Sequence, residues 1–144
     1  PIILSIGIVA EDGRELYIER LNPDLMVASE WVMTNVVPHL HLPENEQTPF
    51  VKMGDAIREW IGDDKPEFWA YYAGYDWVIL CGLFGRMIDL PDGWPMYCRD
   101  IKQLADSLGN PRLPTQATTE HHALADARWN VEAYRFLMAQ GGVA

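Results

Sequence analysis

The chain has 144 residues, of which 49% are hydrophobic, and its formal net charge is −10. This length and composition predict one folded domain with a sizeable core and exclude a disordered chain. The acidic charge argues against a protein that coats nucleic acid along a broad basic surface, and no apolar run is long enough to predict a membrane span.

The distribution of charges and the two cysteines limit the kind of substrate and the cellular location further. Residues 1–70 hold 13 acidic and 5 basic side chains, whereas residues 98–144 hold 5 of each. We therefore expect an anionic substrate to be tolerated in a small cleft of the second region. Cys81 and Cys98 have neither metal-ligand spacing nor the density of a disulfide scaffold, so we expect reduced thiols in a cytoplasmic protein.

The chain opens with a predicted antiparallel hairpin and a short helix. Residues 2–10 are almost continuously apolar and predict a buried strand, which a turn at Asp12-Gly13 joins to a half-buried strand over residues 14–20. Ser29 is placed to cap a short helix that ends before Pro38.

The middle of the chain predicts a helix, a strand and a second helix. Thr48 as N-cap and Pro49 as the first helical residue predict the start of a helix that Gly62 ends. The aromatic residues 67–72 predict a short strand, and residues 76–84 have the apolar spacing of a helix.

The last third adds a strand and two helices. Residues 96–98 predict a short strand, and Asp100 is placed to cap a helix that Gly109 ends. An alanine-rich helix follows over residues 122–140. The succession of elements predicts an α/β domain with one mixed β-sheet flanked by helices.

Two isolated aspartates are candidate metal ligands. Asp76 opens a predicted helix after a predicted strand, so it is either an N-cap or a ligand for a hard cation such as Mg²⁺ at a strand end. Asp126 lies among small and apolar residues of the last helix. It is either a solvent-facing acid, an ion-pair partner of a neighbour such as Arg128, or a metal ligand.

Two adjacent histidines precede that helix. His122 is four residues before Asp126, so on one helix the two side chains share a face and are a plausible pair of ligands for one metal. His121 lies about 140° away around an ideal helix and would reach the site from the preceding loop, which suits a general base. The alternative is a pair of surface histidines at a helix start.

Aromatic side chains cluster around Asp76. Core packing is the default for most of them, because aromatic residues dominate protein cores. Tyr75 and Trp77 are the candidates for substrate binding, since an exposed ring beside the site would stack a nucleobase for about 1–3 kcal/mol.

Three stretches together resemble the DEDDh branch of the 3′–5′ exonucleases, in particular the RNase T-like bacterial exoribonucleases. They are LSIGIV with EDGREL over residues 4–16, WAYYAGYDW over residues 69–77, and the pair His121 and Asp126 with four residues between them. The resemblance spans nearly the whole chain. It implies a single exonuclease-like domain over residues 1–144 with an RNase H-like fold, and a homodimer.

In that family four carboxylates hold two Mg²⁺ or Mn²⁺ ions, and a histidine activates the attacking water. The resemblance implies that Asp76 and Asp126 are metal ligands and that His121 is the catalytic base. The implied substrate is an RNA 3′ end, and the implied product is a nucleoside 5′-monophosphate.

One family motif, Asp-x-Glu on the opening strand, is absent from the printed residues. Glu11 and Asp12 do not replace it, because they lie at the hairpin turn. We therefore expect a longer native chain whose N-terminal strand carries this motif. Two alternatives stay open: a catalytically degenerate module that binds nucleotides or a partner, and a single-metal hydrolase that uses His122 and Asp126 as ligands.

Overall fold

The structure is a computed structural model that describes residues 2–117 and 119–141, and within them the chain forms four strands and five α-helices. The strands are β1 (Ser5–Val9), β2 (Glu15–Glu19), β3 (Trp69–Ala70) and β4 (Arg99–Asp100). The helices are α1 (Glu30–Asn35), α2 (Phe50–Ile61), α3 (Ala73–Gly82), α4 (Ile101–Ser107) and α5 (Ala123–Gly141). Short 3₁₀ turns cover Leu25–Val27, Val37–His39, Glu44–Glu46 and Met87–Asp89. The predicted succession of strands and helices is confirmed.

The opening hairpin forms as predicted. β1 pairs antiparallel with β2 in a register that runs from Ser5 opposite Glu19 to Val9 opposite Glu15. Gly13 supplies the positive φ of the turn, at 95°, and its amide donates to the Ala10 carbonyl. β1 is shorter than predicted and half-buried rather than buried, because in the described residues it pairs with one strand only.

The next two helices start where polar caps and backbone pairing allow. Ser29 caps α1 by accepting a hydrogen bond from the Val32 amide at 3.2 Å, as predicted. The prediction that Thr48 caps α2 is wrong, because the backbone of Thr48 is extended in a bridge with Arg20 and α2 begins two residues later. Gly62 ends α2 with a φ of 69°, as predicted.

The second ladder is parallel and only two residues long. β3 pairs with β4, Trp69 opposite Arg99 and Ala70 opposite Asp100. The strand predicted over residues 67–72 stops early, because Tyr72 adopts a left-handed backbone and starts α3. The strand predicted over residues 96–98 is instead β4, which begins at Arg99, directly after the predicted segment.

The single mixed sheet predicted from the sequence is therefore wrong for the described residues. The antiparallel β1–β2 pair and the parallel β3–β4 pair are separate two-stranded ladders. With only two residues each, β3 and β4 leave little backbone for further pairing. The mixed α/β class is confirmed, and the RNase H-like arrangement stays a prediction.

Two apolar clusters hold these elements together. The first joins Met53 and Ile57 of α2 to Ile18 of β2 and Leu80 of α3, and the second packs α4 against α5. Within residues 2–117 and 119–141, every helix is too short or too polar to cross a lipid bilayer.

Strand β1 crosses the start of α5 at Gly7. A Cβ atom on Gly7 would lie 2.5 Å from the carbonyl oxygen of Ala123 and 2.5 Å from the amide nitrogen of Leu124. Only a glycine permits this approach, so the first residues of α5 are held close to the hairpin.

Candidate functional site

The N-termini of two helices that follow the parallel ladder meet at one carboxylate. β3 leads into α3 and β4 leads into α4, so both helices begin at the same end of the ladder. Asp100 accepts hydrogen bonds from the amides of Tyr72 at 3.2 Å, Ala73 at 3.1 Å and Lys102 at 2.8 Å. It therefore caps both helices, beyond the single cap predicted, and it fixes the carboxyl end of the ladder, where α/β sheets build their sites.

Asp76 lies in the first turn of α3, beside this cap. The N-cap alternative for Asp76 is wrong, because α3 begins at Ala73 and its N-cap is Tyr72. Asp76 is exposed to solvent; desolvation of its carboxylate by the surrounding atoms nevertheless raises the pKa of Asp76, and the charges of Asp126 and Asp100 raise it further. Asp76 of α3, Asp126 of α5 and Asp100 at the end of β4, called the acid cluster below, are thus near enough for the charges of the other two to act on Asp76.

Asp126 reaches this cluster from α5. It is half-buried, and its Oδ1 accepts a hydrogen bond from Gln116 Nε2 at 2.9 Å. The alternative of an ion pair with Arg128 is wrong, because Arg128 pairs with Glu15 of β2 at 2.5 Å. The described residues thus offer Asp126 an amide donor and no cation, which leaves its negative charge to act on Asp76.

His121 stands in the turn before α5, as predicted for a group that approaches from a loop. Its backbone is left-handed, with a φ of 66°, and the side chain is exposed. The imidazole meets the Trp31 ring edge to face, with ring centroids 4.9 Å apart and an interplanar angle of 83°. The structure therefore places His121 between α1 and the acid-bearing helix α5.

His122 lies just before the first residue of α5 and not on the helix. Its Nδ1 accepts a hydrogen bond from the Ala125 amide at 3.4 Å, in the manner of a capping side chain. Its ring stacks on Tyr17 at 4.8 Å and on His41 at 5.3 Å. Burial and the charge of His41 lower the pKa of His122, so the neutral ring that a cap requires is favoured.

The two predicted substrate-binding aromatics are in different surroundings. Tyr75 precedes Asp76 on α3 and is 67% exposed. Trp77 packs into the first apolar cluster against Phe68, at a centroid distance of 5.4 Å. The placement favours Tyr75 over Trp77 as the ring that meets a substrate.

Sequence reasoning missed residues that surround the acid cluster. Asp100 was interpreted as a cap alone, although it follows a short strand just as Asp76 does. Burial raises the pKa of Cys98 to about 12, and the charges of Asp76 and Asp100 add to this effect. The thiol is thus uncharged at neutral pH and lies beside the acids, which excludes Cys98 as a thiolate nucleophile.

The donor set suits a hard cation in part. Among residues 2–117 and 119–141, no group of three or more histidine, cysteine or acidic side chains is arranged around one metal position. Asp100 is engaged by three amides, which leaves Asp76 and Asp126 as the available carboxylates. Mg²⁺ is often held by one or two carboxylates together with water and substrate phosphates, so this pair fits a partial site.

Comparison with known proteins identifies the family. A family model described as the 3′-5′ exoribonuclease Rv2179c-like domain matches residues 2–138. Two proteins of Mycobacterium tuberculosis are each 37% identical over 140 residues, which cover 94% of this chain and 83% of each relative. They are named 3′-5′ exoribonuclease Rv2179c, from strain ATCC 25618 / H37Rv, and 3′-5′ exoribonuclease MT2234.1, from strain CDC 1551 / Oshkosh. The exoribonuclease class predicted from the sequence is confirmed at this level, and the chain belongs to the 3′-5′ exoribonuclease Rv2179c-like family.

Proposed function

We propose that this protein is a metal-dependent 3′–5′ exoribonuclease of the DEDDh, RNase T-like type, which releases nucleoside 5′-monophosphates from RNA 3′ ends. The observation that carries the proposal is the convergence of Asp76 and Asp126 from separate helices, close enough for the charge of Asp126 to raise the pKa of Asp76. Carboxylates that repel in a cleft are stabilised by a divalent cation. The proposal includes an RNase H-like fold, a cytoplasmic location and a homodimer.

Asp76 and Asp126 would supply carboxylate oxygens to two Mg²⁺ or Mn²⁺ ions. When bound, such ions stabilise negative charge on the attacking and leaving oxygens of a phosphodiester. In the resemblance two further carboxylates, those of the Asp-x-Glu motif, complete the set, and this motif stays a prediction. Asp100 supports Asp76 by holding the start of α3 against the start of α4.

His121 acts as the general base in this proposal. It accepts the proton of the attacking water, whose oxygen bonds to the terminal phosphorus while the bond to the penultimate 3′-oxygen breaks. The 3′-oxygen takes up a proton, and the terminal nucleotide leaves as a 5′-monophosphate. The exposed ring of Tyr75 stacks on a base of the RNA beside Asp76.

The charge distribution supports weak, distributive binding of a short RNA end. Several basic side chains near the site are already paired, namely Arg99 with Glu67, Lys102 with Asp106 and Arg128 with Glu15. These three cations are thus less available to phosphates, and the net charge of the protein is −10. We therefore expect a shallow dependence of KM on salt, since each phosphate contact adds to the slope.

A second candidate function is a catalytically degenerate module of the same fold that binds nucleotides or a partner protein. The observation that favours it is the lack of a three-ligand metal group among the described residues. The two functions differ in metal affinity. An exonuclease requires divalent ions at the acid cluster, whereas a degenerate module binds its nucleotide equally well with chelator.

Substitution of the acids tests the proposal. Protein from the complete open reading frame is titrated with Mn²⁺ by calorimetry and assayed on a short RNA, as wild type and as Asp76→Asn and Asp126→Asn. Asp55→Asn is the control, since Asp55 is an exposed acid on α2. Loss of Mn²⁺ binding and of at least about 99% of turnover in the two site variants alone supports the enzyme. Unchanged Mn²⁺ binding in both would rule out the assigned ligands.

A further inference from the structure

Trp31 is an exposed tryptophan whose ring contacts the imidazole of the proposed general base. It lies on α1, 54% exposed, and meets the imidazole of His121 edge to face at 4.9 Å. His121 has a left-handed backbone, which costs free energy in any residue other than glycine and persists only where the surroundings hold it. The Trp31 ring is therefore placed to hold His121 in this conformation.

The segment that carries Trp31 begins with a capped helix and is anchored to β2 at its other end. Ser29 caps the six-residue helix α1, which is too short to be stable without such contacts. Glu19, 1% exposed, accepts hydrogen bonds from the amides of His41 and Leu42, its Oε2 lying 3.1 Å and 2.8 Å from them. Because a buried carboxylate that loses its donors is costly, these bonds fix His41 and Leu42, at the end of this segment, against β2.

The same segment also contacts the next residue of the turn. The ring of His41 stacks on Tyr17 at 5.3 Å, with an interplanar angle of 4°, and on His122 at 5.3 Å. Two consecutive residues, His121 and His122, are thus each held by a ring from residues 29–42. These contacts come from opposite ends of one anchored segment and act on one turn.

We infer that Trp31 is a positioning residue which, together with His41, clamps the turn before α5 and fixes the imidazole of His121. This inference rests on the proposed function, because it takes His121 as the general base. A fixed imidazole matters since a displacement of about 1 Å at a reacting group costs as much as about 100-fold in rate. The competing role for an exposed indole is stacking on a nucleobase, which would act on substrate binding.

A double-mutant cycle separates the two roles. The full-length protein is assayed on a short RNA as wild type, Trp31→Ala, His121→Ala and the double variant, with thermal melts of each. We expect Trp31→Ala to lower kcat about 10- to 100-fold with KM nearly unchanged. In the His121→Ala background the same change should cost less than about twofold, because residues that act as a unit are not additive. Trp31→Phe should restore most of kcat, and Met33→Ala on the same helix is the control.

Nuclear magnetic resonance of the imidazole protons tests the contact without activity. In the wild type the Trp31 ring should shift the His121 side-chain resonances, and Trp31→Ala should move them while those of His39 stay in place. Unmoved His121 resonances would overturn the inference. An increase in KM with kcat preserved, or an equal cost in both backgrounds, would assign Trp31 to RNA binding instead. If His121→Ala leaves kcat intact, the proposed base is wrong, whatever the resonances show.

Discussion

Substitution of Gly7 by alanine perturbs the contact between the hairpin and the start of α5, next to the proposed base His121. The new Cβ would lie 2.5 Å from the Ala123 oxygen, 2.5 Å from the Leu124 nitrogen and 2.6 Å from the Ala123 carbonyl carbon. All three are backbone atoms at the start of α5, so no side-chain rotation relieves the overlap. Non-bonded carbon atoms are in favourable contact at about 3.5–4.0 Å, so β1 and α5 must separate by about 1 Å.

This separation has a cost in stability and a cost in turnover. Overpacking of this kind typically destabilises a protein by about 1–3 kcal/mol, and clashes with backbone alone place Gly7→Ala at the upper end. At about 2–4 °C per kcal/mol for a domain of this size, the melting temperature should fall by roughly 6–12 °C. Because His121 and Asp126 flank the displaced residues, a shift of about 1 Å should also lower kcat by up to about 100-fold.

Thermal unfolding and single-turnover kinetics, the latter at a temperature where both proteins are folded, measure the two effects. Gly74→Ala is the control, since nothing lies within 4 Å of a Cβ at Gly74 and alanine in a helix is favoured by about 0.5–1 kcal/mol. If Gly7→Ala melts and turns over like the wild type while Gly74→Ala behaves as expected, β1 does not press on the start of α5 as described.

Three further predictions concern the acid cluster and the proposed base. Burial and the charges of Asp126 and Asp100 raise the pKa of Asp76, so the stability that its proton contributes is present below the ordinary aspartate pKa of about 3.9 and is lost as the pH rises through the raised value. Without divalent ions, Asp76→Asn should therefore raise the melting temperature at neutral pH but not in acid, and an equal or lower value at neutral pH would refute this. Asp100→Ala should lower the free energy of unfolding in urea by about 2–3 kcal/mol, because it uncaps two helices and one cap is worth about 0.5–2 kcal/mol. Asp24→Ala, which uncaps a 3₁₀ turn, is the control. A smaller loss for Asp100→Ala than for Asp24→Ala would count against the double cap. His121→Ala should lower kcat at least about 100-fold, and a flat kcat would remove it as the base.

Local signals in the sequence were enough for the order of the elements. Three features depend only on residues close to them in the sequence: the hairpin turn at Asp12-Gly13, the Ser29 cap and the end of α2 at Gly62. The structure has all three. The start of α3 could not be predicted this way. Its first amides are capped by Asp100, 28 residues away from Tyr72, so the left-handed turn at Tyr72 depends on a partner that no local pattern shows.

The site was predictable in its acids and not in their surroundings. Asp76 and Asp126 stood out as isolated carboxylates, and in the structure the charge of Asp126 helps to raise the pKa of Asp76, while their role as metal ligands stays a prediction. Arg128, one alternative partner for Asp126, is instead bound by Glu15, which is 113 residues away from it. The contact of Trp31 with His121 likewise joins distant parts of the chain. Such pairs depend on tertiary packing, so they cannot be predicted from the spacing of residues along one sequence.

The most direct test of the central claim follows the direction of RNA degradation. The protein from the complete open reading frame is incubated with 5′-end-labelled RNA and Mn²⁺, with and without chelator, and the products are resolved on a sequencing gel. We expect a ladder of labelled RNA that shortens from the 3′ end and disappears with chelator. Intact RNA under all conditions, or a ladder that persists with chelator, would contradict the claim that Asp76 and Asp126 form a metal-dependent exoribonuclease site.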